Sequence, residues 1–168
     1  ITVSGKLPEK DTYTVTGTTA LAAITAVRLN VLASDALPEK GPGRAENGNF
    51  HLSEIEMSVF EPGASEARKV AFRQATADFN QADWGIEKAL DSKTDTAWGI
   101  HPAEGQPPHA VFSLTAKLAF PPSARFMIPL NLFPPGGHLF GADGPSLTAG
   151  APANARGDAC CAVTGSAL

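Results

Sequence analysis

The sequence predicts an all-β fold, an antiparallel β-sandwich with one short helix. Apolar and polar residues alternate over several short segments, which is the pattern of strands with one buried face. Residues that favour turns, mainly Gly, Pro, Asn and Asp, separate these segments. Residues 84–90 have helical spacing, with Asp83 as a candidate N-cap. Short strands at close intervals with one brief helix are typical of a sandwich.

The strand with the clearest pattern lies at residues 21–32. Its aliphatic side chains alternate with Arg28 and Asn30. Because successive side chains of a strand point to opposite faces, we expect the aliphatic set to face the core and the polar pair to face solvent. The predicted core residues of this strand are Val27, Leu29 and Val31.

Further strands are predicted at residues 12–18, 50–60, 68–77, 109–114 and 126–133. In the second of these, the alternation changes parity after Leu52, which indicates a bulge near Ser53. In the last, Pro129 removes a backbone donor from the middle of the segment. We therefore expect that strand to lie at a sheet edge or beside a bulge.

The composition excludes some classes of function. The 168 residues carry a formal charge of −4, and Lys and Arg are scattered, so we expect no nucleic-acid surface. No apolar stretch approaches the ~20 residues of a transmembrane helix. The sequence opens with Ile1 on strand-like residues, so we expect a piece of a longer protein whose signal peptide lies elsewhere. The adjacent Cys160 and Cys161 do not indicate a compartment.

The chain divides into a sandwich domain and a tail. Residues 11–133 hold the predicted strands, whereas residues 134–168 are dominated by Gly, Ala and Pro and have few charges. Such a composition disfavours a packed core. We therefore expect the tail to be poorly ordered.

A long loop at residues 33–49 is the first candidate binding segment. Loops of this length without their own secondary structure are more often functional than idle. Arg44, Asn47 and Asn49 could form planar hydrogen bonds with ligand hydroxyls. The alternative is a turn held by its own side chains, including Glu46.

The second candidate is the loop at residues 91–96, which is rich in hydroxyls and carboxylates. Calcium is bound by six to eight oxygen atoms, and Asp91, Thr94, Asp95 and Thr96 could supply several of them. The alternative is a solvated turn in which these side chains bond to their own backbone.

Histidines and tryptophans supply the remaining candidates. His101, Glu104 and His109 could hold a transition metal or act as acid and base, but their spacing matches no helical zinc motif. The alternative is that these are loop histidines bonded to backbone or solvent. Trp84 and Trp98 could stack on a sugar, although a tryptophan in a sandwich is more often a core residue.

Two stretches resemble a discoidin-like domain (galactose-binding-like, F5/8 type C). They are GPGRAENGNFHLSEI at residues 41–55 and ALDSKTDTAWGIHPAEGQPPH at residues 89–109. The second matches the family's Ala-Leu-Asp-Gly segment followed by Thr-x-Trp, with Ser92 in place of the Gly. The likeness is greatest to the version found in large secreted planctomycete proteins that also carry a cytochrome c-like domain, and it covers about residues 11–120.

The resemblance implies a jelly-roll sandwich, frequently with a structural calcium ion and a loop end that binds sugars. The implied calcium ligands are the side chains of Asp91 and Thr96 and the backbone carbonyl of Lys88. The predicted ligand-binding residues are Arg44, Asn47, Asn49, Trp84, His101 and Glu104.

We therefore expect a non-catalytic carbohydrate-binding module of an extracellular or periplasmic protein, with the other domains of that protein as partners. Two alternatives remain. One is a structural or protein-interaction spacer that binds no sugar. The other is an enzyme that uses His101, Glu104 and His109.

Overall fold

A computed structural model describes residues 7–133 and 136–141 and the backbone of residues 143–148. The described strands, in chain order, are β1 (Asp11–Gly17), β2 (Ala23–Val31), β3 (Glu54–Ile55), β4 (Ser58–Phe60), β5 (Arg68–Lys69), β6 (Phe72–Ala77), β7 (His109–Ala119), β8 (Arg125–Leu132) and β9 (Asp143–Thr148). Two short 3-10 helices occupy Pro38–Lys40 and Ile86–Leu90. No helix in this described part is long and apolar enough to cross a membrane.

The strands form two antiparallel sheets, which confirms the predicted all-β sandwich. The first sheet has the order β1-β8-β4-β5, and β3 also pairs with β8. The second sheet has the order β6-β7-β2-β9. Apolar side chains from both sheets make one core, because strands such as β1, β2 and β8 turn alternate residues inward.

The core residues predicted in β2 are confirmed. Val27, Leu29 and Val31 are fully buried, whereas Arg28 and Asn30 are half-buried. Strict alternation is a local signal, so it specifies the buried face of a strand without knowledge of its neighbours.

The segment predicted as one strand at residues 68–77 contains two strands that belong to different sheets. The Val70 N–H donates to the Met57 carbonyl beside the first sheet, and the next carbonyl, that of Ala71, accepts from Thr115 in the second sheet. The chain therefore crosses between sheets at this point and forms a corner of the sandwich.

β8 is an interior strand and not an edge strand, so of the two positions predicted for Pro129 the structure shows the one beside an irregularity. The Pro129 carbonyl accepts from Glu56, which lies in the interruption between β3 and β4. In an extended residue the nitrogen and the carbonyl face the same side, so the missing N–H of Pro129 faces the interrupted strand. The irregularity that proline requires is thus carried by the neighbouring strand.

The helix predicted at residues 84–90 is shorter than expected. Its 3-10 turn begins at Ile86 after Gly85, and Asp83 is not its N-cap but adopts a φ of 63°. The side chain of Asn80 accepts from the Ile86 N–H at 2.8 Å and supplies the acceptor that the first turn needs.

The second sheet extends beyond the domain boundary predicted at residue 133. The backbone of β9 pairs with β2 from Val31↔Asp143 to Ala26↔Thr148. The rest of the predicted tail, residues 149–168, lies outside the described residues.

A substitution of Gly43 would test how closely the two sides of the 33–49 loop approach each other. A Cβ atom added to Gly43 would lie 1.8 Å from the Asn49 carbonyl oxygen, so the backbone would have to move. We expect Gly43→Ala to lower the free energy of unfolding by about 2 kcal/mol or more, measured by chemical denaturation. Gly105→Ala is the matched control, because nothing lies within 4 Å of its added Cβ. Equal stability of the two variants would contradict this account of the loop.

Candidate functional site

The long connections gather at one end of the sandwich, which we call the loop end. It consists of residues 32–53, 78–108 and 136–141. The antiparallel pairing places these connections together. The last residues of β2 pair with the first residues of β7, and β8, which follows β7 after a short turn, runs back to the same end. The opposite end, which we call the hairpin end, consists of the short turns at residues 18–22, 61–67 and 120–124.

Backbone hydrogen bonds join the three segments of the loop end. The Leu52 and Trp98 backbones exchange two of them, at 3.0 and 2.8 Å. The His51 N–H donates to the His138 carbonyl at 2.9 Å. The side chains of the loop end are therefore presented by a connected backbone and not by independent loops.

The side chain of Asn49 connects two of these segments. Its Oδ1 accepts from the backbone N–H groups of Phe50 at 2.9 Å and Ile100 at 3.0 Å. Its Nδ2 donates to Gln81 Oε1 at 3.0 Å. Asn47 Oδ1 in turn accepts from the Asn49 N–H at 3.1 Å. Asn49 is only 2% exposed, so these bonds satisfy a buried amide that would otherwise be costly.

Three aromatic rings form a stacked column beside this amide. The His51 ring lies between Trp84 and His138, with centroid separations of 4.2 and 4.0 Å and interplanar angles of 12° and 6°. His51 is buried and Trp84 is half-buried. The column therefore holds one face of Trp84 against a rigid support while the residue keeps access to solvent.

Burial keeps the His51 imidazole neutral. Removal from water, and to a lesser extent the neighbouring His138, together lower the pKa of His51 to about 4. The Nε2 atom of His51 lies 3.5 Å from Asn49 Nδ2. A neutral ring is the form that stacks on a second imidazole without charge repulsion.

An exposed histidine and a buried carboxylate lie next to the column. His101 Nδ1 contacts Glu104 Oε1 at 2.7 Å, and the His101 backbone N–H donates to Gln81 Oε1 at 3.1 Å. His109 has a different partner, Asp78, at 2.8 Å. The three residues of the hypothetical acid–base cluster are thus divided between two pairs. Within the part of the chain that the structure describes, no group of three or more His, Cys, Asp or Glu is placed to hold a metal ion.

The loop at residues 91–96 is closed by Asp91. The Thr96 hydroxyl donates to both Asp91 oxygens, at 3.0 and 2.9 Å, and the Lys93 N–H donates to Oδ1 at 2.9 Å. Ser92, which stands where the resembled family has Gly, adopts a φ of 63°. A non-glycine residue is strained in that region, and the bonds to Asp91 hold the turn there.

Glu54 adds a second carboxylate to this loop, although no pattern in the sequence connects the two. Its Oε1 accepts from the Lys93 N–H at 3.1 Å. Burial raises the pKa of Glu54, and the Asp91 charge acts in the same direction, whereas the N–H groups of Ser92 and Lys93 oppose the rise. Two carboxylates therefore face one turn at the cost of mutual repulsion.

The remaining predicted residues have defined places. The Arg44 N–H donates to the Leu139 carbonyl at 2.9 Å. The Lys88 ammonium donates to the Asp83 carbonyl. Trp98 is fully buried and its Nε1–H donates to the Phe79 carbonyl at 3.0 Å, so it is a core residue.

The structure connects most of the predicted ligand-binding set. The members that it links through hydrogen bonds and ring stacking are Asn47, Asn49, Trp84, His101 and Glu104. Gln81 and His51 make these links and His138 completes the ring column, although none of the three is among the predicted site residues. His138 belongs to a Gly-Gly-His segment that could have drawn attention, whereas Gln81 has no sequence signal.

Comparison with models of known protein families, with curated proteins and with solved structures gives no significant match in any of the three. The discoidin-like resemblance therefore stays a prediction.

The depressed pKa of His51 predicts a pH dependence of stability. Between pH 4 and 6.5 the unfolded chain binds a proton at His51 that the folded protein does not, so stability falls as the pH falls through this range. We expect this loss to be on the order of 2 kcal/mol. His51→Phe keeps a ring in the column but cannot titrate, so its unfolding free energy should vary less with pH over the same range. Parallel profiles for the two proteins, measured by chemical denaturation, would contradict the assignment.

Proposed function

We propose that this chain is a non-catalytic carbohydrate-binding module of a larger secreted protein and that it binds the sugar at the loop end. The observation that carries the proposal is the half-buried Trp84 ring, stacked on His51 at 4.2 Å, with Gln81 bonded to the Trp84 backbone. An aromatic ring offers an apolar platform to the C–H face of a sugar, and neighbouring planar polar groups bind its hydroxyls.

The polar groups beside Trp84 suit hydroxyl recognition. Gln81 uses Oε1 to accept from Asn49 and His101, and its Nε2 group has no hydrogen-bond partner among the described residues. The His101 imidazole is exposed and oriented by Glu104. Amide and imidazole groups both donate and accept, so together they can satisfy the mixed requirements of sugar hydroxyls.

We further propose that a calcium ion stiffens the neighbouring loop at residues 91–96. The donor chemistry fits this ion, because Asp91, Glu54 and Thr96 supply hard oxygen atoms at one turn. A cation there would also relieve the repulsion between Glu54 and Asp91, which adds to burial in raising the pKa of Glu54. Since Asp91 is already held by Thr96 and Lys93, calcium would strengthen the order of this loop and not create it.

The sugar proposal predicts a large effect of removing the Trp84 ring. We expect the protein to bind at least one polysaccharide in a glycan panel, and Trp84→Ala to weaken that binding by about tenfold or more. Trp84→Phe should retain part of the affinity, because a ring remains on His51. Binding is measured by titration calorimetry at matched protein concentrations.

The matched control for this truncation is Phe60→Ala, which removes a half-buried ring from the hairpin end. Sugar affinity of this variant should equal that of the parent protein. A folded parent protein that binds no member of the panel would overturn the proposal and leave a structural or protein-interaction spacer as the better account.

The calcium proposal predicts a shift in thermal unfolding. Calcium should raise the unfolding midpoint by several degrees, EDTA should reverse the rise, and Asp91→Asn should abolish it, because a ligand specific for the folded state adds to its stability. Glu66→Gln is the matched control, since Glu66 is exposed at the opposite end of the sandwich and has no hydrogen-bond partner among the described residues. An equal calcium response of the two variants would place any bound ion elsewhere.

A further inference from the structure

The hairpin end contains a cleft that the proposed sugar site does not use. Its volume is about 940 Å³, and its walls are formed by the turns at residues 18–22 and 120–124, with residues from the neighbouring 61–68 segment. Pockets that bind small molecules measure roughly 300–1,000 Å³. The cleft is thus large enough to enclose much of a small ligand.

The floor of the cleft is apolar. Leu118 and Phe120 lie in it and are 7% and 3% exposed, so both are anchored in the core. Leu21 and Pro121 are half-buried along its length. A hydrocarbon chain or ring laid here would remove its own surface and the exposed surface of Leu21 and Pro121 from water, which favours binding.

The charged residues of the cleft carry a net positive charge. Lys117 is exposed, and no acidic side chain of the described residues lies within ion-pair distance of it. Arg68 is paired with Glu61 at 3.1 Å, but both side chains are about half exposed. An exposed ion pair of this kind adds little stability, so Arg68 can share its guanidinium with a second acid. This positive edge contrasts with the net charge of −4 of the whole chain.

A distortion of β7 places Lys117 at the cleft. Ser113 pairs with Ala26 and Leu118 pairs with Ile24, so residues 114–117 of β7 stand opposite Thr25 alone. Thr115 fixes this bulge, because its N–H and hydroxyl both donate to the Ala71 carbonyl, at 3.0 and 3.3 Å. Bulges redirect side chains and recur beside functional sites.

From these observations we propose that the hairpin end binds a small amphipathic anion, that is, a soluble molecule with a hydrocarbon body and one acidic group. The body lies on Leu21, Leu118 and Phe120, and the acidic group pairs with Lys117 and Arg68. The proposal is independent of sugar binding, because the cleft lies at the opposite end of the sandwich from Trp84.

Titration calorimetry with four ligands, each kept below its micelle concentration, tests this proposal. Decanoate combines the chain with the acid, decanol lacks the charge, decyltrimethylammonium reverses it, and acetate lacks the chain. We expect decanoate to bind most tightly and acetate not to bind measurably. Equal affinity for decanoate and decyltrimethylammonium would show that the site does not select an anion. If decanoate does not bind, the proposed site is wrong.

Variants locate the binding. Lys117→Glu should weaken decanoate binding by about tenfold or more and leave decanol binding unchanged. Leu21→Ala should weaken the binding of both decanoate and decanol. Thermal unfolding confirms that this variant is folded. Lys10→Glu is the matched control for charge, because Lys10 is exposed next to β1 at the loop end. If Lys117→Glu and Lys10→Glu reduce decanoate binding equally, the effect is one of net charge and the proposed site is wrong.

Trp84→Ala separates this proposal from the proposed sugar function. Decanoate should bind that variant with the affinity of the parent protein. A loss of decanoate binding in Trp84→Ala would show that the ligand occupies the loop end.

Discussion

The buried amide of Asn49 is the interaction on which the loop end depends. It accepts from the backbone of its own segment at Phe50 and from the second segment at Ile100, and it donates to Gln81. Three groups from two segments of the loop end are thereby fixed around one side chain. A buried amide has few acceptable arrangements, because each unsatisfied donor or acceptor costs about 1–3 kcal/mol. The position of Trp84 and His101 beside Gln81 follows from that constraint.

The two ends of the sandwich differ because their connections differ in length. Long segments at the loop end bring imidazoles, amides and one tryptophan together around Asn49. Short turns at the hairpin end leave apolar core residues such as Phe120 at the floor of a cleft, and the bulge in β7 brings Lys117 to its edge. One scaffold thus presents a polar, aromatic surface at one end and an apolar, cationic one at the other.

Local patterns predicted the strands, and contacts distant in sequence decided what the patterns could not. The alternation in β2 is sufficient to identify Val27, Leu29 and Val31 as core residues. The change of sheet after Val70 has no local signal, because both halves of the segment alternate like one strand. Pro129 is compatible with an edge or a bulge, and only the interruption of the neighbouring strand decides between the two. His51 was overlooked because a single histidine in a strand is uninformative until its stacking on Trp84 and His138 is known.

The most direct test of the account is a nuclear magnetic resonance titration with a polysaccharide that the protein binds. The titration follows the indole N–H signals of Trp84 and Trp98 as the polysaccharide is added. Trp98 is an internal reference, because its indole is buried and donates to the Phe79 carbonyl. The account predicts a shift of the Trp84 indole signal and of the Gln81 side-chain amide, with the Trp98 signal unchanged. Shifts confined to residues of the hairpin end, with the Trp84 signal unmoved, would contradict it.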